Sequence, residues 1–174
     1  MNEKELVSLI DKYAPKLKTP EHINKKKLMW AFASNETDLG RMELRSRFEP
    51  SYSGNWHRSF YKEGKSMFSR SQLAMTAWRK WGDSAAQSYG LFQIMYTTAI
   101  DTGVINIETP PEDLRKTETN VAVFVALINK IIRGNQGITI AQIADAYNSG
   151  NYGDSIIPKE YIEKLKKAYD KAPF

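Results

Sequence analysis

The chain has 174 residues, no cysteine and two histidines, with 25 basic against 20 acidic residues and a net charge of +5. That length suits one domain, here 1–174, able to bury roughly 70% of its unfolded surface without a disulfide or structural metal. The missing cysteines exclude a disulfide framework, a Cys-based zinc site and a thiol nucleophile. His22 and His57 stand far apart in the sequence and no calcium-loop pattern occurs, so neither metal nor cofactor is expected.

The basic excess is local. Ser51 to Ile100 carries six basic and two acidic residues, a balance that favours a polyanion or a solvated surface. No run of about 18 apolar residues offers a membrane span. The first residues, Met1-Asn-Glu-Lys-Glu-Leu, lack the basic start and apolar core of a signal peptide.

In chain order, Leu6, Ile10, Tyr13 and Leu17 predict a first amphipathic helix, within a segment 1–18 that packs on the rest. Thr19 as N-cap and Pro20 at the first helical position predict the start of a second helix that carries Glu36. Lys25–Lys27 read as its solvated face. Gly40 to Ser69 has weak periodicity and many aromatics (Phe48, Tyr52, Trp56, Phe60, Tyr61 and Phe68), which predicts short turns or a small hairpin walling a groove. Ser71 to Trp81 is a short helix, and Ser88 to Met95 enters another through Gly90. Pro110–Pro111 opens a brief helix. Thr119 caps the most apolar helix, Val121 to Ile132, which Gly134 stops. Thr139 begins a helix ending at Asn148, and Pro158 opens the last, through Tyr169.

Glu36 carries the most chemistry. Leu28, Phe32 and Glu36 recur at a spacing of four, so they share one helix face. On a buried face, desolvation disfavours the charged carboxylate and raises its pKa, which suits a general acid near neutral pH. A carboxylate fraying into solvent at the helix end is the other reading of the same spacing.

Four segments follow one another: Glu36–Thr37, Gly90-Leu-Phe-Gln-Ile-Met95, Ala146-Tyr-Asn-Ser-Gly-Asn151 and Glu160-Tyr-Ile162. Together they resemble the signature segments of the soluble-type lytic transglycosylases, including phage-type members with an Arg-Tyr-Glu-Pro-His-Tyr stretch similar to Arg47–Tyr52. The resemblance runs from about Leu28 to Tyr169. It implies an α+β, predominantly α, lysozyme-like fold with a substrate groove, and cleavage of peptidoglycan glycan strands between N-acetylmuramic acid and N-acetylglucosamine.

The resemblance makes Glu36 the acid that protonates the leaving oxygen. The same residue then acts as the base that draws the proton from the C6 hydroxyl, leaving a 1,6-anhydro end. Thr37, where the family has serine, and Tyr161, near the carboxylate, are supporting residues. Tyr89, Gly90, Phe92 (methionine in the family), Gln93, Met95, Tyr147 and Asn148 are implied to bind substrate. The rings of Trp56, Trp78 and Trp81 are further candidates for stacking on sugars. The implied enzyme is a monomer that acts on the cell wall, carried in a phage particle or released by a partner such as a holin.

Two alternatives remain at this point. One of Asp38, Glu43, Glu49 and Asp83 could hold a water for an inverting muramidase. Glu49 is the best placed of these, although an ion pair with Arg47 or Arg45 would make it structural. Thr139–Lys167 also reads as a helix-turn-helix for DNA. That reading puts Glu160, Glu163 and Asp170 on the reading helix and leaves Glu36 and Gly90–Met95 without a role, so no nucleic acid is expected. A lysozyme-fold module without catalysis is a third reading, against which the intact Glu36 argues.

Overall fold

The computed structural model describes residues 1–41, 45–49, 52, 72–149 and 159–174. Expectations for Glu43, Trp56, His57, Phe60, Tyr61, Phe68, Gly150, Asn151 and Pro158 lie outside the described residues. Elements in chain order are α1 (Glu3–Tyr13), α2 (Lys25–Thr37), β1 (Arg47–Phe48), α3 (Gln72–Trp81), β2 (Gln87–Tyr89), β3 (Ile94–Met95), α4 (Tyr96–Asp101), α5 (Thr117–Ile132), α6 (Ile140–Ser149) and α7 (Lys159–Asp170). Short 3-10 turns occupy Ala14–Lys16, Gly82–Ala86 and Pro111–Arg115. Helix dominates and the strands form one small antiparallel sheet in the order β1-β2-β3, so the class is α+β, predominantly α.

The chain divides into two compact units, Met1–Glu43 with Phe124–Phe174, and Leu44–Val123. In the first, α1 buries Leu6, Ile10 and Tyr13, as their spacing predicts, and Leu17 is buried just after it. α1 opens with a capping box between Asn2 and Glu5, which satisfies two backbone N–H groups that the helix cannot. α2 differs from its sequence reading in two ways. It starts at Lys25, because the Asn24 side chain accepts from the N–H groups of Lys26 and Lys27. The Thr19 hydroxyl instead donates to the Ile23 carbonyl, and Ile23 N–H closes a turn onto Pro20, so Thr19–Asn24 is a bend before the helix. Nor is α2 amphipathic: Leu28 through Ala33 are all buried, the pattern of a helix covered on every side.

α7 covers one of those sides. The Tyr161 hydroxyl reaches Glu36, the Lys164 ammonium reaches the Asn35 carbonyl, and the Tyr169 hydroxyl accepts from Asn24 N–H. Contacts that ascend α7 while descending α2 make the two helices antiparallel. Leu165 of α7 is fully buried, and Trp30 meets Phe174 edge to face with centroids 6.0 Å apart. α6 is capped by Thr139, whose hydroxyl accepts from Gln142 N–H while the Gln142 amide oxygen accepts from Thr139 N–H.

In the second unit, β1 pairs with β2 (Arg47 opposite Ser88) and β2 with β3 (Ser88 opposite Met95, Tyr89 opposite Ile94). Ser88–Met95 is therefore a hairpin and not the entry to a helix. Gly90 (φ +73°) and Gln93 (φ +45°) take left-handed backbone that reverses the chain, and helix begins only at Tyr96. The apolar helix α5 starts at Thr117, two residues before the expected cap Thr119. Val121, Phe124, Val125, Ile128 and Ile132 are buried as predicted, and left-handed Arg133 and Gly134 end it.

Candidate functional site

Glu36 occupies the last turn of α2, and the residues immediately after it hold that turn in place. Asp38, Leu39 and Gly40 are successively left-handed, with Asp38 N–H bonded to Ser34 O and Leu39 N–H to Ala33 O. Two of the three are not glycine, so the backbone stores strain there. Thr37 offsets part of it. Its buried hydroxyl donates to Ala33 O at 3.1 Å and accepts from Gly40 N–H at 3.2 Å, tying the helix end to the turn beyond.

The Tyr161 hydroxyl donates to Glu36 Oε1 at 2.6 Å across 125 residues of sequence. A short bond to a carboxylate favours its ionised form and fixes its orientation. One turn back along α2, Phe32 packs on Tyr147 with centroids 4.6 Å apart, and Phe124 meets both rings edge to face. This apolar floor explains the state of Tyr147. Burial pushes its phenol well above the ordinary value, and the nearby Glu36 carboxylate and then Tyr161 add to the effect. Tyr147 therefore stays protonated at any pH where a glutamate titrates. Asn148, the next residue, is exposed. The structure thus brings together Glu36, Tyr147 and Tyr161, from α2, α6 and α7.

The other predicted residues lie in the Leu44–Val123 unit. Tyr89 is buried, its hydroxyl bonded to Ser84 O at 2.6 Å and its ring beneath the Arg115 guanidinium. Its pKa is pushed up to about 12, first by burial and then by the Glu112 carboxylate. Phe92 is fully buried. Met95 is half-buried on β3. Gln93 folds over its own hairpin: its amide donates to Gly90 O at 3.0 Å and Arg45 O at 2.9 Å, and accepts from the Ser88 hydroxyl. The indoles of Trp78 and Trp81 donate to Asp83 Oδ1 and Ile107 O within the same unit.

Among the candidate second carboxylates, Asp38 pairs with Arg41 at the end of α2 and Asp83 accepts from Trp78. Glu49 forms an ion pair with Arg47, and its N–H bonds to Ala86 O at 2.7 Å beside the sheet. Among the described residues no group of three or more His, Cys, Asp or Glu could hold a metal ion. No helix described is long and apolar enough to cross a membrane.

Sequence reasoning missed Asn120. It sits at the end of the first turn of α5, fully buried, and all its polar atoms serve the hairpin and the turn before the helix. Nδ2 donates to Tyr89 O at 2.9 Å and to Leu114 O at 3.0 Å, while Oδ1 accepts from Phe92 N–H at 2.9 Å. A Cβ on Gly90 would lie 2.4 Å from Asn120 Nδ2, so this approach admits only glycine. The available signal was an amide four residues before Phe124, on the buried face of an apolar helix.

The family described as N-acetylmuramidase matches residues 9–173. No curated protein and no solved structure shows significant similarity to the chain. The family match does not favour DNA reading by Thr139–Lys167, and the helix that such a reading would insert into DNA carries Tyr161 against Glu36. A match that spans nearly the whole chain, from α1 to the residue before the last, makes this protein a member of the N-acetylmuramidase family, enzymes that cleave glycosidic bonds of peptidoglycan.

Proposed function

We propose that the protein is a lytic transglycosylase in which Glu36 serves as acid and then as base. The observation that carries the reading is the 2.6 Å bond from the Tyr161 hydroxyl to Glu36 Oε1. It belongs with the aromatic floor of Phe32, Phe124 and Tyr147, one turn back along α2 from the half-buried Glu36. Two opposed influences then act on one group. The apolar floor favours the protonated acid, and the tyrosine favours the carboxylate that remains after proton transfer.

In the first step the Glu36 proton passes to the glycosidic oxygen as the bond from muramic C1 to that oxygen breaks. Positive charge builds at C1, and the new Glu36 carboxylate, held by Tyr161, faces it. In the second step the carboxylate takes the proton of the C6 hydroxyl while O6 bonds to C1. The products are a 1,6-anhydromuramic end and a free N-acetylglucosamine hydroxyl, and Glu36 is protonated again. The resemblance of Gly90–Met95 to the family's Gly-Leu-Met-Gln-Ile segment supports a substrate-binding role for this hairpin, in which the Gln93 amide oxygen, with a lone pair beyond its bond from Ser88, is the group offered to a sugar hydroxyl.

The family's description is equally compatible with a second reading, hydrolysis, in which a second carboxylate directs water to C1. Mass spectrometry of digests of purified peptidoglycan separates them. Anhydromuramic ends are expected, whereas reducing muramic ends with incorporation of solvent oxygen would establish the hydrolase.

A further inference from the structure

We propose that Asn120 is a positioning residue for substrate: through the hairpin backbone it holds Gln93 in the conformation that meets the sugar. This rests on the reading of Gly90–Met95 as a substrate-binding segment. A buried amide whose donors and acceptor all end on backbone is a clamp, because each bond lost leaves a buried polar group unpaired. Asn120 fastens the hairpin at both flanks of Gly90, at Tyr89 O and Phe92 N–H, and ties it to Leu114 O.

Gln93 is the next residue along, with a left-handed backbone at φ +45° that a non-glycine residue keeps only when its surroundings impose it. Its N–H bonds to Gly90 O at 3.1 Å, and its side chain bonds to the same carbonyl. The orientation of the Gln93 amide is thus referenced to the Gly90–Leu91 peptide, which lies between the two peptides that Asn120 bonds. Asn120 itself is fully buried, and nothing in the proposal needs it to touch substrate.

The test is a KM and kcat comparison on solubilised glycan strands of defined length, using Gln93→Ala, Asn120→Asp and the double variant. Asn120→Asp keeps shape and still accepts from Phe92 N–H, but it sets a carboxylate against the Tyr89 and Leu114 carbonyls. Each single variant is expected to raise KM about three- to tenfold, the scale of one hydrogen bond lost, with a smaller change in kcat. The double variant should exceed the worse single by less than about twofold, because both act on one contact.

Where the buried charge prevents folding, Asn120→Ala removes the same three bonds without introducing a charge and should raise KM in the same way. A KM effect from Gln93→Ala but none from Asn120→Asp or Asn120→Ala, or effects that multiply in the double variant, would overturn the positioning role alone. An unchanged KM for Gln93→Ala would bring down both this inference and the substrate-binding reading of the hairpin. Glu36 would be untouched by that result.

Discussion

Glu36 and Tyr161 form a pair whose two members can be removed separately. Glu36→Gln keeps the shape and can still accept from Tyr161, so the protein should fold with an unchanged melting profile. Activity on peptidoglycan should fall by at least about 10²–10⁴-fold, the usual scale for losing a general acid or base. Turnover above roughly a tenth of wild type on that scale would remove Glu36 from the mechanism. Tyr161→Phe deletes one oxygen and keeps the ring beside α2. The carboxylate then loses a bond that favours its ionised form, so the acidic limb of the pH–activity profile should move to higher pH. An unaltered limb and unaltered rate would make Tyr161 a packing residue. The role of Glu36 was suggested by local spacing, but its hydroxyl partner, 125 positions away, came only from the family resemblance. No local pattern encodes a contact of that separation.

At the scale of elements, the spacing of apolar residues locates α1 and α5 well, since each buries the residues its period puts on one face. It fails for the hairpin. Gly90 to Met95 is too short to show a strand period, and its reversal depends on left-handed Gln93, which sequence does not advertise. The pairing of β1 with β2 also gives Glu49 a setting. Its carboxylate meets the Arg47 guanidinium, but the Arg47 side chain is 71% exposed, so water screens the pair. Glu49→Gln should therefore lower stability by less than about 1 kcal/mol in urea titrations, with activity retained. Loss of activity at unchanged stability would identify Glu49 as the base of a hydrolase.

For the whole molecule, the tyrosines predict how stability responds to alkali. Burial raises the phenols of Tyr89, to about 12, of Tyr96 and, most strongly, of Tyr147. In the unfolded chain these groups ionise near pH 10. Above that pH the unfolded state binds fewer protons than the folded one, so stability must fall as pH rises. For Tyr89 the decline should run from about pH 10 to about 12. Tyr147→Phe removes one such group while keeping its ring against Phe32 and Phe124, so the slope of unfolding free energy against pH should become shallower above pH 10. The same slope in the variant would show that Tyr147 ionises freely in the folded protein.

Residue type and short-range period were enough to establish the helical character, the buried faces of α1 and α5, the order of the four motif segments and the candidate acid. These signals act within a few turns of chain. Tertiary packing was needed to bury α2 all round, to gather Tyr161 and Tyr147 at Glu36, and to clamp the Gly90 hairpin with Asn120. Each of these depends on segments far apart in sequence meeting in space. A buried hydrogen bond or a shared apolar floor exists only once those segments have packed together.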